Sequence, residues 1–311
     1  MRPSIFFYWT NWGFFILLWG TSTLWAAPLW ISSPFEKVDS TEHVPVFAIV
    51  PRFLIGKISE NTYQIENQLL NQQAQYFENK HTTLCPYEDW NSLLSVATCS
   101  ASLVSKSVLA TARHCVSGRS PEELRKFCER HAFIFDWRGE SELASSRIFY
   151  CNPKLDSQNQ ALRLSTQVDL ALIYLNKEVR SVVMPELVRD LEMASDEKLF
   201  SFGHPFGMKL FVSKNGNIIS DPQTPRQQMI ATNLSTMRGE SGGPLFLKKN
   251  DKNILAGILI SNNGDFKYNE EKKCLDIINC SEKSDCLPSY FLKTDSILDI
   301  LIPVRKKAKK I

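Results

Sequence analysis

Short apolar runs separated by turn-forming residues fill the sequence from Cys99 to Ile260, and this pattern limits the fold more than any other feature. Many short strands with frequent turn signals predict a β-sandwich or β-barrel. No long helical pattern separates the runs, which argues against alternating strands and helices. Residues 296–304 are apolar at helical spacing, so the sequence predicts an all-β fold with one C-terminal helix. The runs are Ala101–Val104, Val108–Ala110, Ala132–Phe135, Leu170–Leu175, Lys198–Phe202, Leu210–Val212, Asn217–Ile219, Met229–Ala231, Pro244–Leu247 and Ile254–Ile260.

The composition supports a large folded chain. The length of 311 residues fits one large domain or two small ones. Hydrophobic residues make up 43% and charged residues 22%, which allows a sizeable core and argues against global disorder. The formal net charge of +3 is small, so we expect no nucleic acid partner. We expect the folded chain to be a monomer.

The first 27 residues have the features of a signal peptide. Arg2 is the only charged residue among the first 35, an apolar run is densest from Phe14 to Trp19, and Ala26 and Ala27 are small residues suited to cleavage. An uncleaved membrane anchor is the alternative, although the dense run is shorter than a bilayer span. We expect cleavage and a secreted or periplasmic protein.

Three further segments follow the signal peptide. Residues 28–58 contain four prolines among scattered apolar residues, and we interpret them as an N-terminal extension or a propeptide. Residues 59–304 would then form the folded domain. Residues 305–311 carry five basic side chains. We interpret them as a solvated basic tail, with binding to an anionic surface as the alternative.

Eight cysteines follow the predicted signal peptide. An even number of cysteines in an exported chain predicts disulfides formed in an oxidising compartment. A zinc site is disfavoured because the chain has only five histidines and no paired Cys-x-x-Cys motif. We therefore expect no metal and no cofactor.

Three separate fragments supply a histidine, a carboxylate and a serine, in that order along the chain. They are Thr111–Cys115, Asp169–Leu172 and Gly239–Pro244. A serine hydroxyl is a poor nucleophile at neutral pH and needs a base to take its proton. The base in turn needs an acid that holds it in one tautomer. The three fragments therefore predict a hydrolase that uses a covalent acyl intermediate.

The order of the three residues excludes several classes of hydrolase. No histidine follows Ser241, which rules out the nucleophile elbow of the α/β-hydrolases. The order acid, histidine, serine would need an aspartate well before His114, and Asp39 and Asp89 lie there in polar contexts. The absence of His-Glu-x-x-His from the sequence argues against a zinc peptidase of that class. The remaining order is that of the chymotrypsin type.

From Cys85 to Thr294 the chain resembles the trypsin-like (chymotrypsin-fold) serine peptidases, and more closely their exported bacterial members. The segment Cys99–Cys115 is similar to the strand, turn, strand and histidine turn of that family. The resemblance implies two six-stranded β-barrels with the site in the cleft between them. It also implies a serine endopeptidase with a polypeptide substrate, and it makes residues 59–304 the peptidase domain.

The resemblance implies a role for each residue of the predicted site. Ser241 would be the nucleophile, and His114 the general base and later the general acid. The backbone amides of Gly239 and Ser241 would form the oxyanion hole. Asp169 would orient His114, since a carboxylate beside so apolar a strand needs a partner. Asp136, in a similar apolar context, is the competing acid.

The specificity pocket of the family begins six residues before the nucleophile, which places Ser235 and Thr236 in it. Neither residue is an aspartate, so we expect no strong preference for Lys or Arg. The strand near Ser261 would pair with the substrate backbone by edge-strand addition. An ordinary surface strand is the alternative for that segment.

Three positions depart from the family pattern. Arg113 replaces a small residue before the histidine. Met237 stands where many animal relatives have a cysteine. Glu240 replaces the aspartate that in the animal enzymes pairs with a freshly cut N-terminus. Cleavage after Arg52 could release such an N-terminus, with an exposed loop as the alternative.

The family also implies the disulfide Cys99–Cys115. Cys128 and Cys151 bracket a hairpin and form a second expected pair. Cys85 would pair with one of the late cysteines Cys274, Cys280 and Cys286, or remain free.

Two other functions stay open, namely an esterase of the same fold and a catalytically silent homologue that binds partners through its cleft. Arg113 is the residue that favours the latter.

Overall fold

Two curled β-sheets dominate the computed structural model. The residues described are 35–38, 43–66, 68–70, 83–85, 93–116, 120–156, 161–180, 182–194, 196–221, 228–250, 252–264, 266–277 and 287–301. They belong to one unit of the chain, 34–311. The predicted signal peptide, the predicted basic tail, Cys280 and Cys286 lie outside the described residues.

The first sheet is antiparallel and has seven strands among the described residues. In spatial order they are β10 (Leu162–Leu164), β11 (Ala171–Tyr174), β6 (Val108–Thr111), β5 (Cys99–Ser105), β2 (Val46–Pro51), β7 (His131–Phe135) and β9 (Ile148–Phe149). Phe47, Leu103, Leu109, Phe133 and Ile173 are buried in the core of this sheet. Complete burial of a large apolar side chain stabilises a fold by about 1.5–3 kcal/mol, so this core supplies much of the stability of the first barrel.

The second sheet has eight strands among the described residues. In spatial order they are β1 (Phe35–Lys37), β14 (Phe211–Gly216), β13 (Leu199–Gly203), β16 (Pro244–Lys249), β17 (Lys252–Ser261), β20 (Ser289–Lys293) and β15 (Met229–Thr232), with β12 (Glu186–Leu187) paired in parallel to β17. Leu199, Ile230, Leu245, Leu259 and Phe291 are buried in its core. The predicted two-barrel fold is confirmed. Short edge strands raise the strand numbers to seven and eight.

Two small sheets and three helices complete the described structure. The sheets are β3 (Ile55–Lys57), β4 (Thr62–Ile65) and β8 (Glu142–Ala144) in one, and β18 (Phe266–Asn269) and β19 (Cys274–Ile277) in the other. The helices are α1 (Pro121–Arg130), α2 (Pro153–Asp156) and α3 (Thr294–Leu301). None of the helices within the described residues has the length and apolar character needed to span a bilayer.

The C-terminal helix predicted from the sequence is confirmed in α3. Ile297 is fully buried among residues of both sheets, which explains the apolar spacing of the segment. The Thr294 hydroxyl donates a hydrogen bond to the Leu255 carbonyl at 2.5 Å and so fixes the start of the helix on strand β17.

Helix α1 was not predicted from the sequence. Its N-terminus has a capping box in which Ser120 and Glu123 each bond the other's backbone amide.

Strand β2 lies inside the first sheet, between β5 and β7. Phe47 and Ile49 belong to one buried cluster, and Ala48 and Val50 to another, so both faces of the strand are covered. The sequence-based boundary at residue 58 therefore lies within the fold. We move the proposed start of the peptidase domain from residue 59 to about residue 43, where the chain enters this strand.

Three disulfides join the described cysteines. Cys99–Cys115 and Cys128–Cys151 form as predicted. Cys85, whose partner the sequence left open, pairs with Cys274 across 189 residues of sequence. This bond ties the segment between strands β4 and β5 to strand β19.

Candidate active site

Pairing of two strands of the first sheet brings His114 and Asp169 together. His114 lies in a single 3-10 turn, Arg113–Cys115, directly after strand β6. Asp169 lies two residues before strand β11. Because β6 and β11 are antiparallel, with Thr111 opposite Ala171, the end of one strand meets the beginning of the other. The turn after β6, which carries His114, therefore meets the segment before β11, which carries Asp169.

Asp169 makes two hydrogen bonds to His114. The backbone amide of His114 donates to Oδ1 at 2.9 Å, and the Nδ1 atom of its ring lies 2.6 Å from Oδ2. Because an ionised carboxylate only accepts, Nδ1 carries a proton, so in the neutral ring Nε2 has the lone pair. Burial of the half-buried carboxyl would raise its pKa, but the hydrogen bonds and charge of His114 together lower the pKa of Asp169 below its ordinary value.

Asp136, the competing acid, lies in a different environment. Its side chain is 5% exposed and contacts His43 Nδ1 at 3.2 Å and Arg138 Nε at 3.1 Å. Its backbone φ is +49°, which is uncommon for a residue other than glycine. The structure therefore brings His114 together with Asp169 and assigns Asp136 to a separate ion-pair network.

The loop that carries Ser241 turns sharply at two glycines. Gly239 and Gly242 have φ values of +93° and +87°, a region that L side chains rarely adopt. A Cβ atom on Gly242 would lie 2.2 Å from the Ser100 carbonyl oxygen, and one on Gly239 would lie 2.6 Å from the His204 carbonyl oxygen. Both glycines are therefore needed for the close packing of this loop, as the Gly-Glu-Ser-Gly-Gly pattern indicated.

Strand β5 of the first sheet holds the Ser241 loop of the second barrel. The Ser100 amide donates to the Ser241 carbonyl at 2.9 Å, and the Ser100 hydroxyl donates to the Gly239 carbonyl at 3.1 Å. The Ser102 hydroxyl donates to the Gly242 carbonyl at 2.8 Å. Neither serine was among the site residues predicted from the sequence. Their signal was a period of two within an otherwise apolar strand, which places both hydroxyls on one face.

The Ser241 loop also lies beside the histidine turn. The Sγ atom of Cys115, the residue after His114, is 3.6 Å from the Ser241 carbonyl oxygen. This sulfur has no proton to donate, because Cys115 is bonded to Cys99. Both contacts are made by the Ser241 carbonyl, with Ser100 and with Cys115, and they place the backbone of the predicted nucleophile beside the turn that carries the predicted base.

The amides of Gly239 and Ser241 have no hydrogen-bond acceptor within the described residues. The neighbouring carbonyl of Arg238 instead accepts from the Phe206 amide at 2.5 Å. This bond turns the Arg238 carbonyl toward the loop at Phe206 and fixes the orientation of the peptide that contains the Gly239 amide. Two unoccupied amides on such a turn can receive a negatively charged oxygen.

The residues predicted to bind substrate divide into two groups. Ser235 and Thr236 are buried, whereas Ser261 is exposed at the end of strand β17. The Thr236 hydroxyl lies 2.8 Å from the Ser289 hydroxyl, and its amide donates to Asn263 Oδ1 at 3.0 Å. The partners of Thr236 in these hydrogen bonds are thus a hydroxyl and a side-chain amide, and neither partner is a carboxylate.

Glu240, between Gly239 and Ser241, is buried. Its Oε2 accepts from the Met237 amide at 2.5 Å, and its Oε1 has no partner within the described part of the chain. Burial raises the pKa of this carboxyl to about 8, although the bond from Met237 lowers it in part. Glu240 is therefore mainly a neutral acid at pH 7.

The other histidines considered are not bonded to Asp169. His204 is fully buried, and burial lowers its pKa to about 4, so its ring is neutral and Nδ1 donates to the Met208 carbonyl at 2.9 Å. His131 begins strand β7, stacks on Phe127 and bonds the carbonyl of that residue. Both histidines have structural contacts.

One described group has metal-ligating atoms close together. The Sγ atoms of Cys99 and Cys115 and a ring nitrogen of His114 lie within 4.8 Å of one another. The two sulfurs are joined in a disulfide, so they do not offer the thiolates that a zinc site needs.

A comparison with protein families matches residues 99–257 to the trypsin-like peptidase domain. The match spans both sheets and contains His114, Asp169 and Ser241. The chain therefore belongs to the trypsin-like peptidase family, which implies a polypeptide substrate. A search of curated proteins finds no match to the sequence.

Proposed function

We propose that this protein is a serine endopeptidase that hydrolyses peptide bonds through Ser241, His114 and Asp169. The observation that carries the proposal is the pair of hydrogen bonds that His114 donates to Asp169, in a trypsin-like peptidase domain and beside the Ser241 loop. That bond leaves Nε2 of the histidine as the free basic atom, which is the protonation state a general base needs.

The proposed reaction has two acyl-transfer steps. Ser241 Oγ attacks the carbonyl carbon of the scissile bond while His114 Nε2 takes the hydroxyl proton. His114 then gives this proton to the leaving amine, and the acyl group remains on Ser241. Water, deprotonated by the same histidine, then attacks the ester carbonyl. The bond from the acyl carbon to Ser241 Oγ breaks, His114 returns the proton to Oγ, and the carboxylic acid product leaves. The amides of Gly239 and Ser241 would stabilise each oxyanion, at about 3 kcal/mol per donor.

The proposed specificity excludes a strong preference for Lys or Arg. Ser235 and Thr236 offer hydroxyl groups, and Thr236 is bonded to Ser289 and Asn263, which are also uncharged. No carboxylate is available in these contacts to pair with a substrate cation. The exposed end of strand β17 at Ser261 is proposed to bind the substrate backbone.

We also propose that the peptidase is exported. The support is the sequence of residues 1–27, together with three disulfides, which form in oxidising compartments. The location of the expressed protein and its N-terminal residue test this proposal. A chain recovered outside the cytoplasm that begins near residue 28 supports export with cleavage of a signal peptide, whereas a chain that stays in the cytoplasm and begins at Met1 contradicts it.

Hydrolysis of casein compared with that of a p-nitrophenyl ester tests the proposed reaction. The peptidase is expected to cleave both substrates, and Ser241→Ala is expected to cleave neither. Cleavage of the ester alone would support the esterase. Cleavage of neither by the folded wild-type protein, whatever its N-terminus, would support the silent homologue.

Arg113 is the residue that favoured a catalytically silent homologue, and its contacts favour a supporting role instead. Its guanidinium donates to the Ser165 carbonyl at 2.9 Å. The hydroxyl of Ser165 accepts from the amides of Gln167 and Val168, both at 3.2 Å, so Ser165 organises the loop that leads to Asp169. We therefore interpret Arg113 as a support for the acid loop.

A further inference from the structure

We propose that Glu240 is a positioning residue that holds the oxyanion loop from within the loop, as a neutral acid, so that the site is assembled before any cleavage of the N-terminal segment. The inference rests on the proposed function, because it concerns the amides of Gly239 and Ser241 that would bind the oxyanion. It goes beyond that function because it assigns a role to the acid and predicts that no newly cut N-terminus is required.

The first observation is the length of the Glu240 side chain. Its carboxyl reaches back three residues and accepts the Met237 amide at 2.5 Å, while the Glu240 amide donates to the Met237 carbonyl at 3.2 Å. The two bonds close the turn from both sides. Gly239 is inside this turn and Ser241 follows it, so closure of the turn sets the direction of both amides.

The second observation is how tightly the side chain is enclosed. Glu240 is 1% exposed, and a Cβ on Gly203 would lie 2.8 Å from its Cβ and Cγ atoms. Only glycine at position 203 leaves room for the two methylene groups and the carboxyl of a glutamate. Aspartate, shorter by one methylene, would leave a gap against Gly203 and would not place its carboxyl in the same position.

The third observation is the absence of a basic partner. No lysine or arginine of the described residues is paired with Glu240, and no charged side chain contributes to the shift of its pKa. The ionisable neighbours are His204, which follows Gly203 and is neutral, and Arg238 of the same loop, whose side chain is exposed. A carboxylate at this position would be a buried charge without compensation, whereas a carboxylic acid is tolerated.

The fourth observation concerns the chain near Arg52, the only cleavage point suggested by the sequence. Phe53 is 77% exposed, but Leu54 is buried and its carbonyl accepts the Glu66 amide at 2.8 Å. Strand β3 follows at once and pairs with β4. A new N-terminus at Phe53 would have to break these contacts before it could move toward Glu240.

The decisive experiment labels the full chain with a fluorophosphonate and weighs the intact protein. Each molecule then reports its label and its N-terminus in one mass. We expect labelled molecules that still contain strand β2 and the uncut Arg52–Phe53 bond. A label confined to molecules cut at Arg52–Phe53, or at another bond beyond the predicted signal peptide, would overturn the proposal and leave the proposed function standing. No label on any N-terminal form would instead remove the proposed function itself.

Four variants separate positioning from general stability. Glu240→Ala and Glu240→Asp are expected to slow labelling by about 10²–10³-fold, the effect of losing an oxyanion donor. Glu240→Gln, which keeps the length and can accept the Met237 amide, is expected to recover most of the rate. Glu271→Ala, at an exposed acid, is the matched control. A Gln variant as slow as the Ala variant would contradict the neutral-acid role.

The pH profile gives a readout that a purely structural role would not change. Above about pH 8 the Glu240 carboxyl ionises without a basic partner, so the wild-type labelling rate should fall relative to that of Glu240→Gln. Parallel profiles of the two proteins would overturn the proposal. If Glu240→Ala does not fold, the Gln profile and the intact masses still decide the outcome.

Discussion

At the scale of single residues, two carboxyl groups illustrate how position sets chemistry. Asp169 is half-buried and bonded to His114, which keeps it ionised, whereas Glu240 is fully enclosed and keeps its proton. The first suits an acid that orients a base and stabilises its charged form. The second suits a group that holds a loop without attracting a counter-ion. Neither state follows from the identity of the residue alone.

Substitution of the two candidate acids separates their roles. Asp169→Asn should lower kcat by about 10⁴-fold, because an asparagine amide cannot hold His114 in the same tautomer. Asp136→Asn should leave catalysis by the folded protein nearly unchanged but lower its stability, since His43 and Arg138 lose a buried partner. Steady-state kinetics and thermal unfolding of both variants provide the test. Loss of activity only in Asp136→Asn would overturn the assignment of Asp169.

Titration of Glu240 makes stability depend on pH. Its pKa is about 8 in the folded protein and near 4.5 in the unfolded chain, so the folded state binds more protons between these values. The free energy of unfolding is therefore highest below about pH 4.5 for this group and declines as the pH rises to about 8. We expect the Tm of wild type to fall relative to that of Glu240→Gln over this range. A constant difference in Tm would contradict the protonated state.

At the scale of elements, strand β5 is the part of the first barrel that positions the nucleophile. Ser100 bonds three groups near the site, namely the carbonyls of Ser241 and Gly239 and the amide of His204. The strand thus joins the histidine-bearing barrel to the loop of the other barrel. Such a connection can be recognised only once both barrels are assembled.

Removal of the Ser100 hydroxyl tests this connection. Ser100→Ala leaves the Gly239 carbonyl and the His204 amide without a partner, which should cost about 1–3 kcal/mol of stability. Because Gly239 carries a proposed oxyanion donor, kcat should fall more than KM rises. Thr98→Ala, at the residue before the same strand, is a suitable control because the Thr98 hydroxyl donates to the Ile49 carbonyl, within the first barrel. Equal kinetic effects of the two substitutions would count against a role for β5 in positioning.

At the scale of the whole molecule, the disulfide Cys85–Cys274 connects distant parts of the chain. Leu84 and Leu275, the neighbours of these cysteines, are buried in a cluster with Phe206, Met237 and Phe266. Phe206 stacks on Phe266 with ring centroids 4.2 Å apart, and its amide supports the Arg238 carbonyl. The disulfide therefore closes a layer that lies against the oxyanion loop.

Loss of this disulfide should cost more stability than loss of Cys128–Cys151. The two bonds close loops of 189 and 23 residues, and the chain-entropy relation then predicts a difference of about 2 kcal/mol. The double variants Cys85→Ser with Cys274→Ser, and Cys128→Ser with Cys151→Ser, can be compared by denaturant unfolding. A larger loss from the shorter loop would show that local packing around α1 outweighs chain entropy.

The sequence was sufficient for features set by local pattern. Short apolar runs predicted an all-β fold, and the resemblance to the trypsin-like peptidases implied the two barrels and the disulfide Cys99–Cys115. Cys128 and Cys151 were paired because they bracket a hairpin, and the structure contains both disulfides. The start of the domain was less clear. Pro45 and Pro51 flank strand β2 and suggested an extension, but the strand is buried on both faces by residues far along the chain.

Features that depend on distant contacts could not be predicted from local pattern. The partner of Cys85, the hydroxyl bonds of Ser100 and the proton of Glu240 each depend on residues more than a hundred positions away or on complete burial. The choice between Asp169 and Asp136 was of the same kind. Asp136 follows an apolar strand and Asp169 precedes one, and only the pairing of β6 with β11 distinguishes the two aspartates.

Tandem mass spectrometry of the protein labelled with a fluorophosphonate identifies the nucleophilic serine. We predict one adduct per molecule, on Ser241, that is absent from Ser241→Ala and formed far more slowly in His114→Ala. An adduct on another serine, or no adduct on folded protein with any N-terminus, would contradict the claim that Ser241 is the nucleophile of a serine peptidase.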